Sequence, residues 1–201
     1  MRLQLTRLVA VIALVVGSTV VTGALPVGAH DGNGDEQKHN TTQKIEFHLA
    51  PSTPAIAACL PKLKAEVEVE LETDREGRDE FAISASGLPP RTDFTVFLLE
   101  VPGSPFGAAE YIGDFTTNAS GRGENEFQLI VAEAFSSTLV NGARVRAELN
   151  HVGFWFADPA GDDVCFGQGN GPVTPFDGDN QAGVQVMNSA NFLPGFPLPL
   201  P

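Results

Sequence analysis

Between residues 65 and 72 apolar and acidic side chains alternate without a break, Ala65, Val67, Val69 and Leu71 against Glu66, Glu68, Glu70 and Glu72. A period of two puts successive side chains on opposite faces of a strand, so one face enters a core and a row of carboxylates meets water. The charged turn Asp74-Arg75-Glu76-Gly77 leads into Phe81, Ile83 and Ala85, which alternate again and predict the returning arm of a hairpin. Gly87-Leu88-Pro89-Pro90 ends that pattern, because two prolines fix φ and withdraw ladder donors. Phe94 to Val101 is more continuously apolar, as expected of a strand between two packed layers.

Farther along, Tyr111 to Thr116 reads as a strand, and residues 117–123 are dense in turn formers. Phe127, Leu129 and Val131 start the return. Ala132 to Leu139 reads as one helical turn or an irregular segment. After Asn141-Gly142, Val145, Ala147 and Leu149 alternate with Arg144, Arg146 and Glu148, ahead of the aromatic run Phe154-Trp155-Phe156. A Gly/Asp/Pro loop from Asp158 to Gly183 precedes a last short strand, Val184 to Met187. Short strands separated by turns, with no βαβ unit, predict an all-β fold, an antiparallel Greek-key β-sandwich of Ig-like or dismutase-like form over residues 44–190. Val67, Val69, Phe81, Ile83, Phe94, Val96, Leu98, Phe127, Leu129 and Trp155 are expected in or beside its core.

The ends differ in kind. Arg2 and Arg7, the apolar stretch Leu8 to Val16 and small residues up to Val27-Gly28-Ala29 form the three parts of a bacterial-type signal peptide over residues 1–29, with Ala24 as a second cleavage position. The apolar run is short of the roughly 20 residues that cross a bilayer, so no membrane span is expected after cleavage and the chain is read as secreted. Residues 30–43 are polar and Gly-rich, a disordered leader by composition. Residues 191–201 form a Pro-rich apolar tail with Phe192 and Phe196. The formal net charge is −13, and the signal carries two of the 12 basic residues and none of the 25 acidic ones, so the remainder is more acidic still. That balance repels phosphate backbones and argues against nucleic-acid binding.

Cys59 and Cys165 are the two cysteines of the chain, and export to an oxidising compartment predicts a disulfide between them. Ile56-Ala57-Ala58-Cys59 has the letters of a lipoprotein cleavage box, but the charged stretch His30 to Lys44 separates it from the apolar signal core.

Candidate chemistry is sparse. His39, His48 and His151 lack a ligand partner at metal spacing. His30 would become the first residue after cleavage at Ala29, and its amine and imidazole together suit Cu(II), which gives a copper-binding alternative. Asp31, Asn33 and Asp35 copy the first ligands of a calcium loop, but Glu36 and Thr42 stand where Gly and Glu are required. Asp158 with Asp162 and Asp163, and Asp177 with Asp179, are acidic clusters with at most weak calcium affinity. No phosphate loop, dinucleotide fingerprint or nucleophile elbow is present; Ser104 lacks the Gly-x-Ser-x-Gly spacing.

Gly87-Leu88-Pro89-Pro90, then Val96-Phe97-Leu98-Leu99-Glu100, Gly113-Asp114 and Gly121, resemble the layout of the copper/zinc superoxide dismutase sandwich and its secreted CHRD-type relatives. The resemblance implies a Greek-key sandwich. It does not carry the reaction across, because Phe97 and Leu99 stand where the paired copper histidines would be and Tyr111 where another would precede Gly-Asp.

The expected function is therefore a secreted, non-enzymatic binding or envelope-associated module with an extracellular or envelope partner and no cofactor. Adjacent rings on a strand point to opposite faces, so Phe154 and Phe156 are candidate contact surface, with Phe192 and Phe196 of the tail as further contact residues or as cover for that surface.

Overall fold

The alternating segments fold as antiparallel strands in the computed structural model, which describes residues 43–131, 134–175 and 181–190. The first arm is β1 (Gln43–Pro51), β2 (Lys64–Leu71) and β3 (Asp79–Ser86), joined through the short helices α1 (Pro54–Cys59) and α2 (Thr73–Glu76). The chain then crosses to β4 (Asp93–Leu99) and β5 (Ala109–Thr116) and returns as β6 (Gly123–Leu129) beside β3. A separate hairpin follows, β7 (Phe135–Val140) and β8 (Ala143–Glu148). After β9 (His151–Phe156) come a 3-10 turn (Pro159–Asp162), α3 (Asp163–Phe166), the small pair β10 (Thr174–Pro175) and β11 (Gln181–Ala182), and β12 (Gln185–Asn188).

Eight strands form one sheet in the order β5-β4-β9-β12-β1-β2-β3-β6. The crossings from β3 to β4 and from β5 back to β6 give the Greek-key connectivity, and the fold is all-β. The edge strands β5 and β6 meet without a ladder, so the sheet nearly closes on itself. The Asn125 side chain donates to the Asp114 carbonyl across this seam at 2.7 Å. The Phe127 ring lies against Gly113, where a Cβ would come within 2.3 Å of it, so only glycine lets the ring close the gap.

One core fills the interior. Ile45, Phe47, Leu49, Val67, Val69, Phe81 and Ile83 point in from one side, and Phe94, Val96, Leu98, Phe115, Val152, Phe154 and Phe156 from the other. Phe127 and Leu129 pack against this cluster while remaining partly exposed. Asp79 shares the inward face of β3 and is 1% exposed. Its carboxylate accepts from the Glu72 and Val131 backbone N–H groups, both at 2.8 Å, and so ties the turn before β3 to the exit of β6.

The expected bridge is present: Cys59 and Cys165 are disulfide-bonded across a sequence separation of 106. It joins the end of α1 to α3. α1 is too short to show a helical period in the sequence; Thr53 caps it, Pro54 opens it and Ile56 is its buried anchor.

Two expectations are corrected. Phe154 and Phe156 face inward with no exposed area, and Trp155 takes the opposite face of β9. That outer ring is buried too, because Phe97, Leu99, Phe106 and Ala182 pack around it. Phe154 and Phe156 are thus core, not contact surface. The segment Ala132 to Leu139, expected to be helical or irregular, supplies β7. Asn141 and Gly142 both have positive φ, 51° and 81°, which makes the tight two-residue connection whose twist pairs the flanking residues as a hairpin. Ser136 and Ser137 had hidden this strand by diluting its apolar signal.

Candidate functional site

Two surfaces of the described residues have distinct character. The first is the outer face of β1, β2, β3 and β6. Register places His48, Glu66, Ser84 and Glu124 in one row and Glu46, Glu68, Ala82 and Glu126 in the next. Lys44, Glu70, Glu80 and Gln128 form a third. Lys44 bridges Glu46 at 3.0 Å and Glu68 at 2.6 Å, and these hydrogen bonds, that to Glu68 foremost, hold its ammonium above the ordinary lysine pKa. Glu80 is pushed up, first by desolvation and then by the surrounding Glu126, Glu70, Glu72 and Glu68. An open cleft of about 910 Å³ lies at the His48 end of this face, where Lys64, Glu66, Ser84, Ser86 and Arg122 contribute to the wall. Both charge signs and several hydroxyls line it, and the inward-facing Leu49, Ala65 and Ala85 contribute to its lining as well.

The second surface is the β7–β8 hairpin, whose six register pairs run from Phe135 opposite Glu148 to Val140 opposite Ala143. Its root is fixed in the core by Val131, Ala134, Ala147 and Leu149, all buried, and by the Leu149 N–H donating to the Ala134 carbonyl. Beyond the root it stands apart from the eight-stranded sheet. Phe135 is 52% exposed, Leu139 64%, Val140 48% and Val145 43%, and Ile130 just before the arm is 49% exposed. One face carries Phe135, Ser137 and Leu139 with Arg144, Arg146 and Glu148. Arg146 pairs with Glu148 and lies over the Phe135 ring, 3.8 Å from its centroid, while Arg144 donates to the Ser137 hydroxyl at 2.9 Å. Hydrogen bonding to Arg146 lowers the pKa of Glu148.

The other candidate residues resolve into structural roles or lie outside the described residues. Asp158 accepts from the Ala160 N–H and Asp163 from the Gly169 N–H, so these carboxylates cap local backbone and do not converge on a calcium position. Among the described residues no group of three or more His, Cys, Asp or Glu side chains could hold a metal ion. His30, Asp31, Asp35, His39, Asp177, Asp179, Phe192 and Phe196 lie outside the described residues. His48 is exposed on β1. His151 sits 3.4 Å from the Ser189 hydroxyl, but Ser189 is 1% exposed and already accepts from the Val152 N–H. Burial lowers the His151 pKa. That pair closes the end of β9 and presents no nucleophile to solvent.

Asp162, like Asp79, is buried without a signal in the sequence. It has no exposed area; its Oδ2 accepts from the Val184 N–H at 2.8 Å and its Oδ1 has no partner among the described residues. Gly171 leaves room for it, since a Cβ there would fall 1.8 Å from Oδ1. Desolvation raises the Asp162 pKa, with Asp163 adding to the rise and the Val184 N–H opposing it. A carboxyl raised on folding contributes stability that is fully present below its unfolded pKa and is lost as pH rises through the folded one. Asp162→Asn is therefore expected to raise the melting temperature at pH 7, where it removes a buried charge, with the gain shrinking to nothing as pH is lowered past the ordinary carboxylate range. Melting curves of both proteins across that range check it; an equal loss at every pH would show that the carboxylate is matched by its surroundings.

No family model, curated protein or solved structure matches this chain. The functional reading therefore rests on the residues themselves.

Proposed function

We propose that this chain is an exported, non-enzymatic binding module that works outside the cell or at its envelope and meets its partner through the β7–β8 hairpin. The observation that carries the reading is the exposure of Phe135, Leu139, Val140 and Val145 on one short arm, with Ile130 exposed just before it. An isolated two-stranded hairpin is marginally stable in water, and apolar surface gathered in this way marks interaction sites. Export is supported by the three-part signal over residues 1–29 and by the Cys59–Cys165 bridge, a kind of bond that persists in oxidising compartments. Under the dismutase-like reading, Phe97 and Leu99 hold the positions of the copper histidines and pack on Trp155, which supports a module without that reaction.

Fractionation of cells expressing the full chain tests both halves. The protein is expected outside the cytoplasm, starting at His30, with a share retained by the envelope. Leu139→Ser combined with Val140→Ser should release that share to the medium without changing the melting temperature. Retention of the chain in the cytoplasm would refute export. Identical distribution of both proteins would refute the hairpin as contact surface.

A further inference from the structure

The two edges of the hairpin are not equivalent, and the difference identifies a partner. In a hairpin closed by a two-residue turn the residues flanking the turn form a hydrogen-bonded pair, and the pairs alternate from there. Val140 and Ala143 flank Asn141-Gly142, so the backbone groups of Val140, Thr138 and Ser136 bond to β8. Those of Phe135, Ser137 and Leu139 point away from it. Among the described residues β8 alone pairs with β7.

Natural edge strands are protected by charges, prolines or bulges. The β8 edge has Arg144, Arg146 and Glu148, but β7 (Phe-Ser-Ser-Thr-Leu-Val) carries no charge, proline or glycine. It is an open template for strand addition.

Resting on the reading of the hairpin as contact surface, we propose that β7 pairs antiparallel with β7 of a second copy of this chain about a two-fold axis through Ser137. That register sets Phe135 opposite Leu139 of the second copy, Ser137 opposite its own equivalent, and Leu139 opposite Phe135. All three are the residues whose N–H and C=O groups face outward, so each opposition is a hydrogen-bonded pair. Side chains follow suit: the half-exposed Phe135 and Leu139 cover one another twice, and the small hydroxyl of Ser137 falls on the axis. The contact is isologous and closes at two copies.

Charge selects the same place. The chain has a net charge of −13, and its outer sheet face is lined with glutamates, so most surfaces of two copies repel. The hairpin reverses the sign, with Arg144 and Arg146 against Glu148 alone, and copies that meet there bring their least acidic surfaces together.

Sedimentation of the full exported chain over a range of concentrations tests this. Wild type is expected to pass from monomer to dimer. Ser137→Pro removes an outward N–H that β8 does not use, a position where an edge strand tolerates proline. It should weaken dimerisation by about tenfold or more. Ser137→Lys and Ser137→Asp proteins should each be monomeric through like charges on the axis and should dimerise when mixed, which guards against a variant that merely misfolds. A wild type that stays monomeric at every concentration overturns the proposal, as does a dimer indifferent to all three substitutions. Monomers that sediment with phosphatidylcholine vesicles would overturn it in favour of lipid. In each of these cases release from the envelope by the Leu139/Val140 variant is a separate readout, so self-pairing can fail while the binding reading stands.

Discussion

Replacing both Cys59 and Cys165 by serine is expected to lower the unfolding free energy by about 2–5 kcal/mol while leaving the β-sheet circular dichroism intact. The bridge spans a sequence separation of 106, and for a loop of roughly a hundred residues the loss of unfolded-chain entropy is worth about 4.7 kcal/mol at 25 °C in the chain-entropy model. Residual structure in the unfolded chain lowers that figure. The native sheet does not depend on the bond for its register, because α1 and α3 are both connections outside the ladder. The expected result is thus a protein with the same fold, a lower denaturant midpoint and a steeper slope, because the unfolded chain without the cross-link exposes more surface. An unchanged midpoint would mean that packing of Ile56 already fixes the two connections without the bridge.

What could be read in the sequence follows a physical division. Period-two alternation is set by one strand and one interface, so β2 and β3 stood out: Val67, Val69, Phe81 and Ile83 are all buried. The partnering of the cysteines followed from their number and from the expectation of export. Phe154-Trp155-Phe156 was legible as a strand with rings on both faces, but its orientation was not. The inward side is fixed by β4 and β12 flanking β9, and by Phe106 reaching over Trp155 from a loop. Both are long-range facts. The burial of Asp79 and Asp162 is of the same kind: a carboxylate inside a fold has no local signature, since the backbone donors that hold it come from distant residues, Val131 in one case and Val184 in the other. The hairpin is a different failure. Its turn residues, Asn141-Gly142, were noticed, yet β7 looked like a turn of helix or loop because a strand exposed on both faces shows no alternation for periodicity to detect.

The largest single-residue effect is expected at Phe154, a candidate contact residue by sequence that lies in the core. Its ring stacks on Phe94 with centroids 4.9 Å apart and receives the edge of Phe115 at 5.1 Å, while Phe94 also packs on Phe156 at 5.0 Å. All four rings are buried, with 1% exposure at most. They come from β4, β5 and β9, so truncating Phe154, which touches rings from both β4 and β5, opens a cavity between three strands that stiff neighbouring ladders cannot collapse to fill. Phe154→Ala is expected to cost about 3–5 kcal/mol, the usual range for a buried phenylalanine, and to lower the melting temperature by roughly 6–20 °C for a domain of this size. Phe135→Ala supplies the contrast. Phe135 is 52% exposed and its described contact is the Arg146 guanidinium above it, an exposed cation–π pair worth about 0.5–1 kcal/mol. Calorimetric or denaturant unfolding of the two variants, at a concentration where the chain is monomeric, should separate them by several-fold in free energy. If Phe154→Ala were as mild as Phe135→Ala, the aromatic cluster would not be the core that holds β4, β5 and β9 together, and the assignment of Phe154 to the inside of the sheet would fall with it.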